Sequence, residues 1–434
     1  MSLYFLFFLS ISVLSITQVP PSTSQPSDGP WSYSNVTGYS GLILMNPLTG
    51  SSIFYWLFES LNGNITTDST PLLIWLAGGP GCSGSFPMLW EYISSLHLSS
   101  DNIMYPTPNN VTWCTNFHIL SIDFPYGAGF SFANSNNDIK NNTQDATTYL
   151  LKFINKLGGK YPSWFNRNVY IFGESYGGHW VPALGWQILQ QNNQGVGMKI
   201  NLKGIGIGDP LVDPKSQSLS YSAYGMSFSL INDYQAKIIN MYQNQINLDY
   251  LQGNYMKAFY DKGYLLDAIT SFAGGINVYN IRLYEDYNFA NLITFMNEPS
   301  TKSLIHAPSQ ISWIDCNDTV FDSFSLDMAN TTLPFVEYIL NQNISVLIYQ
   351  GQYDLIIPAP GTENMVLSLN WTGTQGFANA QQNIWTVNGN IAGYVQNYDL
   401  LTYVLLLKSG HLSDHDQPIN IKDMILRFAN GNWL

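Results

Sequence analysis

The 434-residue chain is 45% hydrophobic and 15% aromatic with only 10% charged residues, a composition that fills one large core and excludes a disordered protein. Lys and Arg number 16 against 29 Asp and Glu, a net charge of −13, so the molecular field repels phosphate backbones and anionic lipid surfaces. With no polybasic run to offset this, nucleic-acid binding is excluded.

Residues 1–18 read as a signal peptide. The apolar run continues to about Ile16, long enough for a signal core and short of the roughly 20 residues that span a bilayer. No Lys or Arg precedes it, and a buried N-terminal helix is the alternative. Sequons of the form N-x-S/T at Asn35, Asn64, Asn110, Asn141, Asn317, Asn330, Asn343 and Asn370 fit glycosylation on a secretory route that ends in a lysosome or vacuole or outside the cell. After the signal no segment is long enough to span a membrane.

A Pro/Ser-rich stretch at 19–30 precedes strand-like segments at 41–45 and 53–58, separated by a turn. Short continuous apolar runs follow at 72–76, 117–122, 169–172, 202–207, 346–349 and 403–407. Such runs are what strands covered on both faces look like. With a helical pattern over 176–191 and others between the runs, they predict an α/β-hydrolase fold: a mixed, mostly parallel central sheet with helices on both faces. Between about 215 and 310 the pattern turns helical, at 227–251, around 265–272 and around 289–296, with no buried-strand signal. This reads as an inserted, mainly helical cap within a domain covering 19–434.

The run at 169–172 leads into Gly173-Glu174-Ser175-Tyr176-Gly177, a candidate nucleophile elbow in which glycines let a serine stand clear of a tight strand-to-helix turn. An activated serine needs a base, and the base an orienting carboxylate, each on a loop after a strand and in the order acid, then histidine. Asp354 after 346–349 and His411 after 403–407 meet that order. His415, Asp414 and Asp416 lie nearby, but Gly410 directly before His411 favours the latter. His179 sits one helical turn beyond Ser175 and reads as a packing residue. The oxyanion donors are the backbone N–H of Tyr176 and, from the Gly-Gly turn after 72–76, that of Gly79. No H-E-x-x-H or phosphate-loop pattern is present, and Cys82, Cys114 and Cys316 are not spaced for zinc. No metal and no cofactor is expected. One disulfide plus one free thiol is the simplest account of three cysteines in an oxidising compartment.

The motifs resemble those of the serine carboxypeptidases. Leu72-Leu73-Ile74-Trp75-Leu76-Ala77-Gly78-Gly79-Pro80-Gly81-Cys82-Ser83 is similar to the family's W-L-N-G-G-P-G-C-S segment, and Asp123-Phe124-Pro125-Tyr126-Gly127-Ala128-Gly129-Phe130-Ser131 to D-x-P-x-G-x-G-F-S. Gly173 to His179 is similar to G-E-S-Y-A-G-H, and Gly410-His411 through Asp416-Gln417-Pro418 to G-H-M-V-P-x-D-Q-P. The segments 206–209 and 348–354 look closest to the vitellogenic-carboxypeptidase-like branch. The resemblance implies removal of C-terminal residues from peptides at acidic pH, with Ser175, Asp354 and His411 as triad. It implies that Glu91 and Glu174, with Gly78, hold the substrate carboxylate, and that Cys82 pairs with Cys316. A carboxyl donates to a carboxylate only while protonated, and two close carboxyls raise each other's proton affinity. Trp75, Phe86, Trp90 and Leu412 fall near the family's leaving-residue pocket, with core packing as the equal alternative.

Three departures stand out. Ala77 replaces an asparagine that in the family helps hold the carboxylate, Leu412 a methionine, and Ser413-Asp414-His415 a V-P-x stretch. Catalysis is expected to survive these, with carboxylate recognition weakened. The partners implied are peptide or protein C-termini; the oligomeric state stays open, a homodimer being one option. The competing readings are an acyltransferase of the same fold, against which Glu174 argues, and a non-catalytic protective partner.

Overall fold

Apolar runs that can be covered from both faces build the centre of the molecule. The computed structural model describes residues 27–433, and the expected signal peptide lies outside them. The strands are β1 (Asp28–Tyr33), β2 (Val36–Asn46), β3 (Ser51–Phe58), β4 (Leu72–Leu76), β5 (Leu96–Leu98), β6 (Met104–Pro106), β7 (His118–Ile122), β8 (Asn168–Glu174), β9 (Asn201–Gly208), β10 (Ser345–Gly351), β11 (Gln382–Val387), β12 (Asn390–Tyr398) and β13 (Leu401–Leu406). All except β5 and β6 join one 11-stranded sheet in the order β1-β2-β3-β7-β4-β8-β9-β10-β13-β12-β11. The run from β7 to β13 through β4, β8, β9 and β10 is parallel. The two edges are antiparallel.

Side-chain alternation divides each apolar run between two cores. In β4, Leu72, Ile74 and Leu76 face one core while Leu73 and Trp75 face the other; in β8, Val169 and Ile171 oppose Tyr170 and Phe172. Helices Thr143–Lys160, Gly177–Gln194 and Leu333–Asn341 cover the first face. Ser85–Trp90 and Pro418–Asn430 cover the second. This is the expected α/β-hydrolase architecture, and it brings the C-terminal ends of β8, β9, β10 and β13 side by side.

Between β9 and β10 the chain is helical. Tyr221–Ser227, Asp233–Leu251 and Tyr255–Phe272 enclose an apolar core of their own around Ile239, Ile246, Leu265 and Ile269. The later helices differ, since Leu292, Phe295, Met296 and Ile305 pack into the core of the sheet's second face. The continuous helix expected over 227–251 is broken. Ser229 adopts φ 55°, and a new helix starts from Asn232, whose side chain accepts from the Gln235 N–H while Gln235 returns the bond, a reciprocal cap.

Cys82 and Cys316 are disulfide-bonded, joining the loop after β4 to the segment after the helical insertion. Cys114 is free and buried, and burial pushes its thiol up to about 11.

Candidate active site

β8 ends at Glu174 and a helix begins at Gly177, leaving Ser175 on a two-residue turn with φ 56°. A non-glycine residue in the left-handed region is strained and must be held by its surroundings. Here the Ser175 N–H donates to the Gly208 carbonyl, while its own carbonyl accepts from Gly178 and Leu211, all at 2.9 Å. Gly78 presses against this turn: a Cβ there would lie 2.7 Å from the Ser175 Cβ and 3.0 Å from the Tyr176 nitrogen. The Gly78-Gly79 turn and the Tyr176 amide therefore flank the same serine. Tyr176 is otherwise a structural group, stacked on buried His179 with ring centroids 4.3 Å apart and donating its hydroxyl to Asp327 at 2.6 Å.

Asp354 and His411 come together in the loops after β10 and β13. The His411 Nδ1–H donates to Asp354 Oδ2 at 2.7 Å, which leaves Nε2 as the acceptor nitrogen. Asp354 is further held by the Ile357 N–H on Oδ1 and by Gln350 Nε2 on Oδ2, both at 2.9 Å. Gln350 also donates to Asp209, a buried carboxyl at the end of β9, whose Oδ1 accepts from the Gly351 N–H and whose Oδ2 accepts from the Ser413 hydroxyl. Burial, then the charge of Asp354, pushes the proton affinity of Asp209 up against these donors. Sequence reasoning missed Asp209 as a site residue; its position directly after an apolar run was the available signal.

The helical insertion is fastened to both loops. Its Tyr279 carbonyl accepts from the His411 N–H at 2.6 Å, and Val278 accepts from Leu355 and Ile356 at 3.0 Å. The Tyr353 carbonyl accepts from the Ile281 N–H at 3.0 Å. Gly410, expected to allow the tight turn before His411, does so without a left-handed φ. It is instead a close-approach position, since a Cβ there would meet the Tyr279 oxygen at 2.3 Å.

Next to Ser175 lies a second group of acids. Carboxylate oxygens of Glu91, Glu174 and Asp414 lie within 4.8 Å of one another, all three residues buried. Burial first, then the other acids, raises Glu91 and Glu174 well above the usual carboxylate range. Burial pushes Asp414 up to about 8. In sequence Asp414 stands out as a neighbour of His411 and as a departure from the family pattern.

Trp90, directly before Glu91, is half-buried in an aromatic wall. His415 stacks on it at 3.7 Å and donates Nδ1–H to its carbonyl at 3.2 Å. Phe86 stacks on its indole, and Tyr287 and Phe289 meet it edge-on. Leu412 is buried beside His411 in sequence. Trp75 is fully enclosed, its ring edge-on to Trp113, and Ala77 is buried just beyond β4. Seven of the eight sequon asparagines are exposed. Asn317 is the exception, half-buried with its amide nitrogen donating to the Gly127 carbonyl.

Comparison with known proteins gives a consistent picture. A family model described as serine carboxypeptidase matches residues 26–431. A Dictyostelium discoideum protein named probable serine carboxypeptidase CPVL is 32% identical over 91% of this chain and 78% of its own length. Serine carboxypeptidase-like 50 of Arabidopsis thaliana is 31% identical over 91% of this chain and 88% of its own. The crystal structure of Kex1(Δ)p, a prohormone-processing carboxypeptidase of Saccharomyces cerevisiae, superposes with a TM-score of 0.82 at 24% identity, covering 92% of both chains. The fold and the serine turn at the end of its sheet define an α/β hydrolase. The chain belongs to the serine carboxypeptidase family and is a serine-type carboxypeptidase, a peptide hydrolase.

Proposed function

We propose that this enzyme releases C-terminal residues through an acyl-enzyme formed on Ser175. His411 Nε2 takes the Ser175 proton as Oγ attacks the last peptide carbonyl, and the Tyr176 and Gly79 N–H groups stabilise the oxyanion. The protonated histidine then gives its proton to the leaving amine. Water, deprotonated in turn by His411, hydrolyses the ester and restores the serine. Asp354 holds the tautomer that leaves Nε2 free to accept. The observation that carries this reading is the 2.7 Å Asp354–His411 pair at the same end of the sheet as the left-handed Ser175.

Recognition of the chain end is assigned to Glu91 and Glu174 beside Gly78, with Trp90, Phe86 and Leu412 as an apolar wall for the leaving residue. Ala77 offers only a methyl group, so polar recognition falls on the acids. Because burial and mutual repulsion keep these carboxyls protonated, they can donate to a substrate carboxylate in acid and repel it once ionised. Activity on free-acid peptides is therefore expected to peak at acidic pH. Exposed sequons and the Cys82–Cys316 bridge support a secretory route to a lysosome, a vacuole or the extracellular space.

The test combines labelling and product analysis. A sulfonyl fluoride or organophosphonate should modify Ser175, and mass spectrometry of a peptide mixture should show stepwise C-terminal loss that EDTA does not prevent. Label on another serine, or chains shortened only from within, would overturn the reading.

A further inference from the structure

Among the described residues, five carboxylate oxygens of Glu91, Glu174 and Asp414 are buried and meet no N–H or hydroxyl donor within hydrogen-bond geometry, and the Tyr349 hydroxyl is buried without a partner by the same geometry. The three acids therefore have chiefly one another. Groups of this kind are rare in native proteins, and here they face one another. Among the described residues no cation offsets them: the further charges felt by Glu91 and Glu174 are those of Asp416 and Asp209, and Tyr287 and Tyr279 feel the same two glutamates. His415, next to Asp414, is itself pushed toward its neutral form by burial.

Three carboxyls this close cannot all ionise, so in acid the group offers several O–H donors and almost no charge. That is the chemistry of a site for a carboxylate, whose lone pairs can accept from all of them at once. Its place is set by the chain, because Glu174 directly precedes Ser175 and Asp414 follows His411 by three residues. We propose that Asp414 is a third donor to the terminal carboxylate of the substrate, completing with Glu91 and Glu174 a three-carboxyl cradle. The proposal rests on the carboxypeptidase reading above. It gives Asp414 a role in selecting chain ends, in place of the polar side chain that Ala77 lacks.

The experiment compares a free-acid peptide with its C-terminal amide, taking the ratio of their kcat/KM values from pH 4 to 8 in wild type, Asp414→Ala and Asp414→Asn. Losing a donor to a charged acceptor should lower the ratio for Asp414→Ala about tenfold or more at pH 5, mainly through KM. Asp414→Asn keeps a donor that no pH removes, so its ratio should stay near wild type at pH 5 and persist to higher pH. Against the possibility that Asp414→Ala does not fold, a second measurement uses the Ser175→Ala background. There, calorimetry at pH 7 in two buffers should show proton uptake when a free-acid dipeptide binds, and less uptake with Asp414→Asn.

Unchanged ratios and unchanged uptake in the Asp414 variants would overturn the proposal while leaving the carboxypeptidase reading intact. A wild type that cleaves esters but releases no C-terminal residue would overturn both. Calcium that raises the melting temperature of wild type but not of Asp414→Asn, with the acid-to-amide ratio unmoved, would make the cradle a cation site and also sink it.

Discussion

Two buried groups of acids lie at the same end of the sheet and are built in opposite ways. Every oxygen of Asp209 and Asp354 meets a donor from Gln350, Gly351, Ile357, Ser413 or His411. Both oxygens of Glu91 and of Asp414 meet none. Only the first group has N–H and O–H dipoles aimed at its oxygens to offset their burial, in part for Asp209. The first is wired internally, so its orientation is fixed by the protein itself; the second lacks such donors, which is what the proposed substrate cradle requires. Burial alone does not separate the two groups, whereas hydrogen-bond completion does, and on the proposed reading that difference separates a positioning acid from a recognition acid.

The largest effect that can break this contrast is at the wired pair. Asp354→Asn is expected to lower kcat/KM by about 10⁴-fold on peptides and small esters alike, because an amide favours the wrong histidine tautomer; a loss confined to peptides would assign Asp354 to recognition instead. One step smaller is Asp209→Ala. Removing the acceptor of three buried donors should cost about 1–3 kcal/mol, read as a lower melting temperature and a 10- to 100-fold fall in kcat with KM little changed. Asp209→Asn, which retains the acceptor for Gly351, should recover most of both. If Asp209→Ala instead raised KM for free-acid peptides alone, the two groups would be one site.

The smallest effect is on stability. The proton affinities of Glu91, Glu174 and Asp414 are raised in the folded protein, so the native state binds more protons than the unfolded chain between the usual carboxylate range and the raised values. Stability is then full below that window and falls as pH rises through it, toward an upper edge of about 8 for Asp414. Each such group contributes a slope of at most about 1.4 kcal/mol per pH unit. Melting temperature should decline from pH 5 to 8, and Asp414→Asn should flatten the decline; a curve that climbs over this range would show that these acids ionise without penalty.

The central strands were legible because strands buried on both faces read as unbroken apolar runs, as in Leu72–Leu76. The edges were not. β11 and β12 mix exposed with buried residues and hold no unbroken apolar run, with Ile384 62% exposed, and β1 begins within the Pro/Ser-rich stretch. Ser175, Asp354 and His411 were legible because each follows such a run, and the structure brings the latter two into contact. Asp209 also follows one, but the triad order has no place for a second acid there. The link between Asp414 and the glutamates required the fold, because Glu91, Glu174 and Asp414 come from three distant parts of the chain. Likewise, the reciprocal Asn232–Gln235 cap was present in the sequence as N-x-x-Q, but the surrounding apolar residues masked the break.

The stitching of residues 278–281 to the loops of Asp354 and His411 limits how this enzyme can be taken apart or altered. A helical insertion that merely overlay the cleft could be exchanged between relatives as a module to change substrate range. Here the exchange would remove the carbonyl that holds the His411 backbone and the pairs that hold residues 353–356. Any chimaera has to keep this seam, or supply its equivalent, if the proton-transfer geometry is to survive the transplant. Variation in the helices beyond the seam leaves these bonds untouched, while the seam itself is part of how the Asp354 and His411 loops are held.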